Sequence, residues 1–151
     1  MQDQHTSKTL QTRRRRGLWA LQGFIGVSAV VAGAMMLLDP TGALVGLDAS
    51  WLSTSPFESY LIPGVVLFVV NGLGSLVGAV MTYRGHARAG LAALGLGAFL
   101  VAWIVAQLVW LEGASAFQPI YLILGLVEIS LGSVLGGAEP QRGSARQIGA
   151  S

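Results

Sequence analysis

Four stretches of the chain are almost continuously apolar, and the polar residues collect between them. They run from about residue 17 to 38, 60 to 81, 89 to 111 and 119 to 137, and none contains Lys, Arg or Asp. Each is about 19–23 residues long, and about 20 helical residues are needed to cross roughly 30 Å of hydrocarbon. Helices are the form such spans take, because every backbone N–H and C=O must find its partner inside the span. The pattern predicts an all-α, polytopic membrane protein: a four-transmembrane-helix bundle with one longer connection at 39–59.

The polar remainder orients the bundle. The first connection carries Asp39, Asp48 and Glu58, and the third carries Glu112, with no basic residue in either. Lys8, Arg13 to Arg16, Arg84, Arg88, Arg142 and Arg146 all fall on the opposite side. The positive-inside rule makes that side cytoplasmic. The expectation is therefore an N-in/C-in protein of a prokaryotic plasma membrane. Residues 1–16 form a disordered basic tail, residues 138–151 a second disordered cytoplasmic tail, and residues 39–59 an outer loop.

Composition fits this picture. Hydrophobic residues are 53% of the chain and charged residues 11%, against roughly 25% charged in soluble domains. The net charge of +2 does not point to nucleic acid. Nearly half of the basic residues form the run Arg13-Arg14-Arg15-Arg16 beside an apolar span, where anionic lipid headgroups are the expected partner. The chain has no cysteine, which excludes disulfides and thiol chemistry. In the outer loop, Asp39-Pro40-Thr41-Gly42 reads as a helix stop. Leu44, Val45, Leu47, Trp51 and Leu52 read as a short interfacial segment. Ser55 and Pro56 read as the N-cap and first position of the second helix.

Polar residues within the spans are the candidate site. Glu128 falls near the middle of the fourth span. It shares a helix face with Gly125, Gly132 and Gly136, at i+3 and i+4 spacings that put side chains on one side. Asn71 falls midway along the second span, on a stripe with Gly74 and Gly78. Ser28 is central in the first span. Gln107 is nearer the outer end of the third, on one face with Trp103 and Trp110. Small residues mark helix-packing faces in lipid. One reading makes Glu128 interhelical glue, hydrogen-bonded to Asn71 or Ser28. The other makes it a proton- or cation-sensitive group for transport, with Asn71 and Gln107 along the path. No HExxH, GxSxG or phosphate-cradling glycine loop occurs. Enzymatic chemistry, a metal and a cofactor are therefore not expected.

Three further stretches carry a resemblance. Leu38-Asp39-Pro40-Thr41-Gly42-Ala43-Leu44, the run from Ser55 to Gly64 with its P-F-x-x-Y-L-x-P-G pattern, and Gln118-Pro119-Ile120-Tyr121 with Gly125 resemble a group of small bacterial and actinobacterial four-helix integral membrane proteins. The resemblance spans roughly residues 18–136. It implies the topology and a prokaryotic plasma membrane, and carries over no activity and no site residue. The expected function is that of a small non-enzymatic membrane protein acting through helix–helix assembly, as a homo-oligomer or accessory subunit. The alternative is a small transporter or channel built on Glu128.

Overall fold

The computed structural model describes residues 2–111 and 115–137. The predicted 138–151 tail and the Glu112 link position lie outside the described residues. Four helices are long and apolar enough to cross a membrane, as expected of a helical membrane protein. They are α1 (Gln2–Leu38), α2 (Leu61–Arg84), α3 (Ala89–Trp110) and α4 (Phe117–Gly137). Neighbours in sequence run antiparallel. The bundle end that carries the 39–60 connection is called the loop end, and the opposite one the basic end.

The helix ends differ from the expected bounds for local reasons. α1 starts at Gln2, so residues 2–16 are helical rather than an unstructured tail. No Gly or Pro interrupts that stretch, and its Gln, Lys, Leu and Arg are good helix formers. A helix already nucleated in the apolar span extends through them. α2 starts at Leu61 with Tyr60 at its cap, later than the Ser55-Pro56 signal. Ser55 instead closes a local turn, its hydroxyl accepting from the N–H of Phe57 at 3.2 Å. α4 starts at Phe117, ahead of the expected Pro119. The reason is a capping box in which the Gln118 side chain accepts from the N–H of Ser115 and the Ser115 hydroxyl from that of Phe117, both at 3.3 Å.

At the basic end, α2 stops at Gly85, which takes φ +70°. The N–H of His86 reaches back to the carbonyl of Met81 at 2.9 Å, the hydrogen bond of a Schellman stop. Arg15 adds a second cap across the bundle, donating to the carbonyl of Thr82 at 2.9 Å. A cation there meets the negative end of the helix dipole. Trp19 and Tyr83 meet edge to face beside it.

Packing follows the glycines. Gly33 and Gly72 bring the backbones of α1 and α2 together. A Cβ on Gly33 would lie 2.7 Å from the N of Phe68, and one on Gly72 would lie 2.8 Å from Val30 Cγ2. Gly97 and Gly125 face each other across α3 and α4, as do Gly90 and Gly132. Gly74 and Gly78 pack under Leu96 of α3. Gly136 has open space at its own Cβ position, although its backbone is the surface that Gly90 meets. Within α2, residues Leu67–Gly74 wind as a π-helix, a wider turn that inserts extra residues per revolution. Asn71 and Gly72 are buried in it.

Candidate functional site

Two sites emerge, one a polar chain near the basic end and the other a cavity near the loop end. The polar chain is built on Glu128, which is 0% exposed. Its Oε1 accepts from Nε2 of Gln22 at 3.0 Å. Oε1 of Gln22 accepts in turn from the Thr82 hydroxyl at 2.9 Å. Arg15 binds the backbone carbonyl of that same Thr82. Three helices are thus tied by one continuous run of hydrogen bonds. Gly78 makes room for it, since a Cβ there would sit 2.9 Å from Nε2 of Gln22.

This is not the pairing expected from depth along the sequence. Ser28 turns its hydroxyl onto its own helix, donating to Phe24 O at 2.7 Å. Asn71 is buried at 2% exposure, and its Nδ2 has no partner. Among the described residues, Oε2 of Glu128 and Nε1 of Trp103 are likewise sealed without a partner. Each such orphan costs about 1–3 kcal/mol. Gln22 and Thr82 went unmarked in the sequence. The signal available was the amide of Gln22 inside an otherwise apolar run, one turn beyond Trp19.

The second site is a cavity of about 550 Å3. All four helices and the 39–60 connection contribute to its wall. Gln107 is in the lining together with Trp103 and Trp110, so the helix face read from the sequence is realised as one wall. Ser28 lines the deep end, while Asn71 and Glu128 are not in the lining. The expected polar quartet is therefore divided: Gln107 and Ser28 line the cavity, Glu128 belongs to the polar chain, and Asn71 lies in neither.

The roof of the cavity is the 39–60 connection. It folds as two 3-10 turns, Ala43–Val45 and Ala49–Leu52, and Leu44, Leu47, Trp51 and Leu52 face the cavity. Tyr60 organises it. The ring is 2% exposed, its hydroxyl donates to the carbonyl of Asp48 at 2.9 Å, and its N–H donates to that of Pro40 at 2.9 Å. Gly42, at φ +85°, lies against the ring, where a Cβ would come within 2.6 Å of Tyr60 Cδ2. Phe57 meets Trp110 edge to face at 5.9 Å. The Thr54 hydroxyl donates to the Trp110 carbonyl at 2.7 Å, fastening the roof to the end of α3.

Two carboxylates, Asp39 and Asp48, shape the roof's turns, and Asp48 accepts from the N–H of Ser50 at 2.8 Å. Asp39 accepts from the hydroxyl of Thr41 at 2.6 Å and from the N–H of Leu44 at 3.2 Å. The Thr41 hydroxyl, with backbone N–H groups after it, holds the Asp39 carboxyl below its ordinary value of 3.8. A carboxyl whose folded value is depressed contributes stability above its unfolded value and loses that contribution as pH falls through the folded one. Protease sensitivity of the 39–60 connection should therefore be flat from neutral pH down to about 5 and rise only below the ordinary carboxylate range. Asp39→Ala should show the increase already at neutral pH. A rise beginning near pH 6 in the unaltered chain would contradict this assignment.

No family model matches the chain, and comparison with curated proteins and with solved structures yields no match either.

Proposed function

We propose that this chain is a non-enzymatic membrane protein that holds a membrane-soluble molecule in the cavity at its loop end. The observation that carries the reading is the cavity itself. At about 550 Å3 it lies within the roughly 300–1,000 Å3 of small-molecule sites, and a dedicated, internally bonded roof covers it. In this reading the loop end faces outward and the basic end faces the cytoplasm of a prokaryotic plasma membrane. The arginine-flanked end supports that orientation through the positive-inside rule. Arg13, Arg14 and Arg16, all exposed, then meet anionic headgroups, while Arg15 serves as a helix cap.

The test uses the protein's own fluorescence. Trp51, Trp103 and Trp110 line the cavity, and Trp19 sits apart at the basic end. A brominated alkane added to the full chain in phosphatidylcholine nanodiscs should quench at low mole fraction. Ala106→Phe, which fills the cavity from a lining position, should remove that component. Equal quenching of both proteins would defeat the reading.

Assembly as a homo-oligomer or accessory subunit is the second reading. Gly23 and Gly95 favour it, because each has open space at its Cβ position within a span. Crosslinking in native membranes tests it, and a strictly monomeric, partnerless product would count against it. Glu128, fully buried and outside the cavity lining, lends no support to transport through its carboxyl.

A further inference from the structure

We propose that the cavity takes an uncharged single-chain amphiphile with a hydroxylated head, of the monoacylglycerol type, head at Gln107 and chain toward Ser28 and Leu100. This rests on the cavity reading above and names the class of its ligand.

Shape is the first argument. The α3 wall runs from Leu100 to Trp110, which at about 1.5 Å per residue is roughly 15 Å along the helix. That is about half of a roughly 30 Å hydrocarbon layer. The site is therefore long in the direction of the lipid chains and confined to one leaflet. A volume of about 550 Å3 spread over that length suits one chain.

Charge is the second. Among the described residues, the lining contains no Asp, Glu, Lys, Arg or His. A charged head placed there would lose its hydration with no opposite charge to offset the loss, at a cost of several kcal/mol. The ligand is therefore neutral.

The third argument is where the polar groups lie. Gln107 is in the lining, its side chain has no hydrogen-bond partner among the described residues, and its amide is not among the sealed buried atoms. A carboxamide offers both donors and an acceptor, which matches a hydroxyl that also does both. Gln107 is one turn from the end of α3, on one face with Trp110, and Trp51 of the roof is also in the lining. Their rings have an apolar body and a polar edge, as interfacial positions require. The deep end differs. Its one hydroxyl, on Ser28, is already spent on Phe24 O and Ile25 O, the indole N–H of Trp103 is sealed from access, and Leu100, Ile104 and Leu67 are apolar. Head toward the loop and chain toward the bundle centre is the arrangement that satisfies both ends.

The experiment uses the full chain in phosphatidylcholine nanodiscs with four brominated probes of equal chain length: a monoacylglycerol, a fatty acid at a pH where it is ionised, an alkylamine and an alkane. Tryptophan quenching is the readout. Half-quenching by the monoacylglycerol is expected at about tenfold lower mole fraction than by the acid or the amine. Gln107→Leu should weaken the monoacylglycerol about fivefold, the size of one lost neutral hydrogen bond, and leave the alkane unchanged, which also shows that the variant is folded. If the alkane still quenches in a way that Ala106→Phe removes, but the acid or amine matches the monoacylglycerol or Gln107→Leu has no effect, the ligand class is wrong and the cavity reading stands. If no probe quenches in a way that Ala106→Phe removes, the cavity reading falls and the ligand class with it.

Discussion

Gly90→Ala should lower the stability of the purified protein by about 1–3 kcal/mol, the usual penalty for forcing a methyl into a filled site. Gly95→Ala, five residues along the same helix, should be neutral or mildly stabilising. The contrast comes from what each new Cβ would meet. At Gly90 it would lie 2.6 Å from the N and 2.9 Å from the Cα of Gly136, and 3.0 Å from the O of Gly132. All three are backbone atoms of α4, which no side-chain rotation can move aside. At Gly95 nothing lies within 4 Å, and alanine is favoured over glycine in a helix by about 1 kcal/mol. Without a hydrophobic drive between helices in lipid, close backbone approach is the main source of helix–helix attraction. The packing of α3 against α4 therefore depends on Gly90, Gly97, Gly125 and Gly132 remaining bare. Thermal unfolding in detergent, followed by tryptophan emission, gives the comparison. If the two variants melt alike, the interface is not packed as described.

The second large effect concerns the polar chain. Gln22→Leu should cost about 1–2 kcal/mol, because it removes the only partner of both the Glu128 carboxyl and the Thr82 hydroxyl among the described residues. Membrane hydrogen bonds average less than this figure. Here, however, one amide serves two groups, and the Glu128 side chain has no exposure in which to find a substitute. Glu128→Leu should cost a similar amount. The double variant Gln22→Leu with Glu128→Leu should recover part of the loss, since replacing both partners leaves fewer groups unpaired. Glu128→Gln should be the mildest change, as it keeps an oxygen for Gln22 to bond. A double-mutant cycle measures the coupling, which for groups in direct contact is about 0.5–3 kcal/mol. Strict additivity would show that Gln22 and Glu128 act independently.

The spans were readable because their lengths and apolarity are imposed by the bilayer and leave little room for alternatives. Burial of Glu128 was readable too, from the small residues that share its face. Its partner was not. Matching polar residues by depth pointed to Ser28 and Asn71, whereas two long side chains bridge a level difference that depth matching treats as a gap. Helix rotation also matters, and Ser28 satisfies itself locally as Ser often does within a helix. At the loop end, the face of Trp103, Gln107 and Trp110 was visible as a wall. The roof was not, because it depends on a Tyr60 contact with Asp48 twelve positions back and on 3-10 turns too short to leave a periodic signal. The P-F-x-x-Y-L-x-P-G stretch now has a physical sense at three of its positions. Phe57 packs on Trp110, Tyr60 pins the roof, and Gly64 admits Met36 of α1.

The π-helical run at Leu67–Gly74 bears on how this sequence can change length. In an α-helix, deleting one residue rotates everything beyond it by about 100°, which would swing a packed face away from its neighbour. A π turn already holds surplus residues, so a deletion there can be absorbed by tightening to α winding. The stretch thus sits between two rigid halves of α2, one holding Gly64 against α1 and the other holding Thr82 in the polar chain. A one-residue length variant is most easily accommodated at this point in the bundle, and Asn71 and Gly72 are the residues it would displace.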